Sequence, residues 1–143
     1  MPTQDAASRP PRVLLVLPDQ WPRALLRAAL REAGYDALGA PSLDAALLYP
    51  AEDEERGPVR AILVDQATLT EPEADAILDT LLQRHGRPAT VLLAHSAFAY
   101  PHLAPAAASR WQRIVQRPAS IADLVGTVQA LLPLPPASAR PQD

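Results

Sequence analysis

In Arg12-Val-Leu-Leu-Val-Leu-Pro-Asp19 an unbroken apolar run of strand length, Val13–Leu17, stops on a proline and an acid. A strand with one wet face alternates apolar and polar residues. Val13–Leu17 does not alternate, so it predicts a strand covered on both faces. The signals that follow are helical. Pro22 suits a first turn, where its missing N–H costs nothing. Leu25, Leu26, Ala29, Leu30 and Ala33 recur at helical spacing, with Asp19 or Gln20 as the expected cap and Gly34 as the stop.

The alternation of strand and helix continues outward from this unit. Tyr35–Ala40 reads as a second strand, and Ser42 caps a helix through about Tyr49. The charged stretch 50–57 reads as a solvated loop. Ala61–Val64 is another buried strand, ending on Asp65. Thr70-Glu-Pro-Glu73 matches a capping box, ahead of a helix that buries Ala74, Ile77, Leu78, Leu81 and Leu82 and stops near Gly86. Thr90–Ala94 is the fourth strand. Residues 95–110 read as irregular, broken by Pro101 and Pro105, with a short helix from Pro105. Ile114–Gln116 is the fifth strand, and Ser120 with Asp123 opens a last Leu- and Val-rich helix. Five βα repeats predict an α/β fold with a parallel sheet covered on both sides. In such sheets the working site lies beyond the C-terminal strand ends. Those ends carry Leu17, Pro18 and Asp19, then Asp65, then Ala94 and His95, then Gln116, Arg117 and Pro118.

Composition removes several function classes. The 143 residues suffice for one domain, expected over 12–132, with disordered tails at 1–11 and 133–143. The net charge of -3 and the lack of a Lys/Arg block argue against direct nucleic-acid binding. With no cysteine, disulfides, thiolate catalysis and zinc-thiolate sites are excluded. No apolar run nears the roughly 20 residues that span a bilayer. The polar first residues lack the apolar centre of a signal peptide, so a cytoplasmic, non-membrane protein is expected.

Ile114-Val-Gln-Arg117-Pro118-Ala-Ser120-Ile-Ala-Asp-Leu124-Val resembles the end of the receiver domain of bacterial two-component response regulators. That family has a strand, a Lys-Pro dipeptide, a capped helix and a Leu-rich face there. Arg12–Gly34 aligns without a gap to the family's first strand and helix. Asp65 falls where the family places its phospho-accepting aspartate. The resemblance spans about residues 12–132 and implies a flavodoxin-like (βα)5 three-layer sandwich around a five-stranded parallel sheet. It also implies a Mg²⁺ site, made by two acids after the first strand, the acceptor aspartate, and the backbone carbonyl of the residue here numbered Ala67. At the two acidic positions this chain has Leu17 and Pro18, with Asp19 one residue late. Ala94 stands in place of the family's Ser/Thr, Arg117 in place of its Lys, and Ile114 in place of its switch aromatic. Thr68 and Leu69 replace its Met-Pro and Gly pattern. The resemblance implies a cis peptide before Pro118. Divergent members of this kind are called atypical or pseudo-receivers, and they act through protein contacts without a phosphorylation switch.

Asp65 has three readings: a phosphorylated nucleophile, an ion-pair partner of Arg117, or a solvated loop acid. The ion pair is preferred, because a carboxylate without a metal is a weak nucleophile toward phosphoryl donors and the Arg fork holds a carboxylate bidentately. Leu17, Pro18, Asp19, Ala94, Arg117 and Pro118 are expected to line the site. Asp19 is preferred as a helix cap or surface residue over a residual metal ligand. His85, His95 and His102 share no metal-ligand spacing and read as surface or loop residues, His95 being nearest the site. Phe98, Tyr100 and Trp111 are either local packing or an anchor for a partner, with Ile114 on the same side. Trp21 is expected to plug space left by the missing acids. The favoured function is a stand-alone, non-enzymatic signalling adaptor that needs no metal or cofactor and binds protein partners, a second copy of itself among the options. One alternative is a phosphorelay receiver phosphorylated on Asp65 by a histidine kinase. The other is a small-molecule-binding module, although the chain has no Gly-rich turn to hold nucleotide phosphates after its first strand.

Overall fold

Strand β1 (Arg12–Val16) lies between β2 (Asp36–Ala40) and β3 (Val59–Asp65), followed by β4 (Ala89–Ala94) and β5 (Arg113–Gln116). All pairings are parallel, in the order β2-β1-β3-β4-β5. The computed structural model describes residues 9–51, 53–95 and 110–134. Helices α1 (Gln20–Ala33), α2 (Leu43–Ala46), α3 (Ala74–Arg84) and α4 (Ile121–Leu131) flank the sheet, and a 3₁₀ turn covers Gln66–Leu69. This is the expected flavodoxin-like α/β sandwich.

The two-faced core explains the unbroken apolar runs. Side chains alternate across a strand. Val13, Leu15 and Leu63 therefore pack on one face against Leu26 and Leu30 of α1 and Leu124 and Val128 of α4. Leu14, Val16, Ile62 and Val64 pack on the other against Leu43 of α2 and Leu78 and Leu81 of α3. The chain ends of the domain are tied in. The Tyr35 hydroxyl donates to the Leu132 carbonyl at 2.6 Å, and buried Arg12 donates to Asp36 at 3.2 Å. Residues flanking the expected domain also make contacts. Arg9 donates to the Glu54 carbonyl, and Leu134 packs on the first core face.

Several local expectations are corrected. Asp19 occupies the N-cap position of α1 but makes no side-chain cap bond. Gly34 ends that helix in the left-handed region, φ 107°. Leu25 turns away from the buried stripe of Leu26 and Leu30, about 100° round the helix, and is 56% exposed. Ser42 does cap α2, accepting from the Ala45 N–H at 3.1 Å, but α2 is a single turn. The Thr70–Glu73 capping box does not form. Thr70 ends the 3₁₀ turn, its hydroxyl pointing back to the Ala67 carbonyl at 3.4 Å, and α3 starts after Glu73. The Ser120–Asp123 box forms in both directions, at 3.0 and 3.1 Å.

His85 is buried at the end of α3, against the expectation of a surface residue. Trp111 is also buried, packed in the second core face. It is therefore packing and not an exposed anchor. Phe98, Tyr100, His102 and the helix expected from Pro105 lie outside the described residues. Ile114 is exposed on the edge strand β5. Among the described residues no helix is long and apolar enough to cross a membrane.

Candidate functional site

In this strand order the chain reverses direction across the sheet between β1 and β3, and the crevice of an open α/β sheet lies above that point. Asp65 ends β3 there and is only 1% exposed. A carboxylate so buried needs donors on its lone pairs. Its Oδ1 accepts from the Ala67 N–H at 2.8 Å and lies 2.6 Å from His95 Nε2. Its Oδ2 accepts from Arg117 Nη2 at 2.6 Å. Asp65 thus caps the 3₁₀ turn and joins the ends of three strands. The Thr68 hydroxyl adds a bond to the Asp65 carbonyl at 2.7 Å, and the His95 N–H donates to Gln66 Oε1 at 2.7 Å.

Arg117 is brought to Asp65, but through one nitrogen only. The bidentate geometry expected from sequence is blocked because Oδ1 is already taken by Ala67 and His95. The backbone N–H of Arg117 donates to the Ala94 carbonyl at 2.8 Å, and the Arg117–Pro118 peptide is cis. Ala94 is buried under this contact and offers no hydroxyl.

The β1 end is closed differently. Leu17 is buried, and Pro18 and Asp19 are exposed. Arg23 Nη1 donates to the Leu17 carbonyl at 2.6 Å and reaches the Pro18 carbonyl at 3.4 Å. Gly39 on β2 makes room for this arm, since a Cβ there would come within 3.1 Å of Arg23 Cγ and Cδ. Trp21 is 73% exposed and fills nothing. An open cleft lies beside the cluster instead, lined in part by Leu17, His95, Arg117 and Pro118.

Sequence reading missed His95 and Arg23. His95 carried one signal, its place directly after a strand in the row of strand ends. Arg23 carried none, because its partners are backbone carbonyls.

No protein-family model matches the sequence, and no curated protein does. Solved structures do match in fold. A chain of an adenylate cyclase from Rhodopirellula baltica superposes with TM-score 0.67 at 16% identity, over 85% of this chain and 86% of that one. A response regulator from Thermotoga maritima gives 0.65 at 14%, over 85% and 97%. A CheY-like receiver domain from Methanospirillum hungatei gives 0.64 at 13%, over 85% and 92%. The fold is therefore that of the response regulator receiver domains, and at these identities the fold is what is shared.

The residues do not fit the Mg²⁺ that this fold implies. Mg²⁺ requires oxygen ligands in near-octahedral array. Leu17 and Pro18 supply no side-chain oxygen at the two positions beside Asp65. Both Asp65 oxygens already accept from protein donors. The Leu17 and Pro18 carbonyls face the guanidinium of Arg23, which adds positive charge. Among the described residues no group of three or more His, Cys, Asp or Glu side chains is placed to hold a metal.

Proposed function

We propose that this receiver-fold domain is a signalling adaptor, binding protein partners without being switched by phosphate. The observation that carries the reading is that both oxygens of the Asp65 carboxylate are held by protein donors. Its lone pairs are directed at Ala67, His95 and Arg117. Attack on a phosphoryl donor would require breaking an ion pair in a buried site, with no metal to screen the incoming charge. The same bonds tie β3, β4 and β5 together in one arrangement, which suits a fixed docking module better than a two-state switch.

Exposed apolar side chains support the protein-contact part of this reading. Trp21 and Leu25 stand one turn apart on α1, both more than half exposed. Aromatic and aliphatic side chains at such spacing are the kind of anchor that protein interfaces bury. This replaces Trp111 as the aromatic of interest, while Ile114 keeps a place on the exposed β5 edge.

The test is incubation of the full chain with acetyl phosphate, with and without Mg²⁺, followed by intact-mass measurement. No added phosphate is expected. A Mg²⁺-dependent gain of one phosphate that disappears in Asp65→Ala would overturn the reading in favour of a working phosphorelay receiver.

A further inference from the structure

The cleft beside Asp65 has a volume of about 480 Å³ and opens between α1, the end of β4 and the start of α4. That lies inside the range of roughly 300–1,000 Å³ typical of small-ligand sites. Its accessible apolar wall is Pro22, Pro118, Ala119 and Ile121, set over the buried Leu26 and Leu124. Its polar side chains among the described residues are His95 and Arg117, and no carboxylate lines it. Asp65 lies behind them, with its oxygens taken. Both side chains reach the solvent, His95 at 43% and Arg117 at 36% exposed, while His95 Nε2 is spent on Asp65 Oδ1. Arg117 spends only Nη2 on Asp65. Leu17 matters here, because a carboxylate at that position would make the inner end of the cleft anionic.

An aliphatic wall with a cationic donor at its rim is complementary to an amphiphilic anion. We propose that the cleft binds a medium-chain aliphatic monocarboxylate. Its chain lies against Pro22 and Ile121, and its head group accepts from Arg117 with His95 beside it. A carboxylate suits a guanidinium edge. A phosphate dianion brings a second negative charge, and the charge of Arg117 is already offset by its ion pair with Asp65. Among the described residues no Phe, Tyr or Trp side chain lines the cleft. The proposal goes beyond the adaptor reading and does not rest on it.

The test is calorimetric titration of the full chain with sodium octanoate, with octan-1-ol as the uncharged comparison. Octanoate is expected to bind one saturable site about tenfold tighter than octanol, the worth of one charge-assisted hydrogen bond. Arg117→Gln is expected to bring the two affinities together. Ile121, partly buried, lines the cleft. Ile121→Trp, which fills the cleft and leaves Arg117 in place, is expected to weaken octanoate binding about tenfold or more. Circular dichroism checks that each variant is folded. If Arg117→Gln is not, the octanol comparison and Ile121→Trp decide. Absence of saturable binding, equal affinity for octanol in the native chain, or unchanged affinity in Ile121→Trp would each overturn the proposal. The phosphorylation assay above fails or succeeds independently of all three.

Discussion

Asp65 Oδ1 lies 2.6 Å from His95 Nε2, joining the ends of β3 and β4 across 30 residues of sequence. The other oxygen of the same carboxylate reaches Arg117, a further strand away. One buried acid thus gathers three strand ends. In a receiver fold that acid would be the reactive group. Here both of its oxygens accept from protein donors.

The Asp65–Arg117 pair should respond unequally to loss of each partner. Arg117→Ala leaves a buried carboxylate with one ion partner fewer, at a cost of about 3 kcal/mol. Asp65→Asn strands a guanidinium that is about a third exposed and can turn to water, at a cost of about 1–2 kcal/mol. Urea unfolding of the two variants measures the difference. Equal costs, or the reverse order, would mean that Asp65 is not the buried, dependent member.

Adjacent leucines on α1 offer a second contrast. Leu26 is fully buried on the first core face, and Leu25 is mostly exposed. Leu26→Ala should cost about 2–5 kcal/mol and Leu25→Ala about 0.5 kcal/mol or less. If Leu25 serves protein contact with Trp21, the double replacement Trp21→Ala and Leu25→Ala keeps the melting temperature while reducing association measured by light scattering or partner capture. A large stability loss from that double change would place the stripe in the fold and not at an interface.

The sheet was legible because burial on both faces leaves a mark that one-sided burial does not. Val13–Leu17, Ala61–Val64 and Val91–Ala94 are continuous apolar runs for that reason. The missing acids at Leu17 and Pro18 were equally legible, as absences at known offsets from a strand. The donors that complete Asp65 were less so. His95 reaches it through the geometry of the sheet, and no local pattern encodes a contact spanning 30 residues. Trp111 shows the same limit. An aromatic beside an irregular segment reads alike whether it faces solvent or, as here, the core formed by β3, β4 and α3. Capping motifs divided on neighbouring structure. Ser120 itself has extended backbone and is free to cap, whereas Thr70 is consumed by the turn before it.

That division is measurable. Ser120→Ala removes the hydroxyl that accepts from the Asp123 N–H and should cost about 1 kcal/mol. Thr70→Ala, despite its matching motif, should change stability by less than about 0.5 kcal/mol. Thermal melts of both variants test this, and a larger loss for Thr70 than for Ser120 would contradict the helix starts described above.

His85 gives the domain a pH dependence whose sign is fixed by burial. Both its ring nitrogens are buried without a hydrogen-bond partner among the described residues. Burial, aided by the nearby positive charges of Arg84 and Arg12, holds its pKa below the ordinary 6.5. The unfolded chain therefore takes up the proton at a higher pH than the folded one. Above pH 6.5 neither state is protonated at His85, and its contribution is constant. As the pH falls below 6.5 the unfolded state gains a proton that the folded state refuses, so stability drops until the folded value is passed. His85→Leu keeps an apolar side chain in the same space and removes this step. Unfolding free energies at pH 8 and pH 5 should differ less in His85→Leu than in the native chain, with the other titrating groups common to both. An identical pH dependence in the two proteins would show that His85 charges as readily folded as unfolded, and that its buried setting exerts no control over its proton.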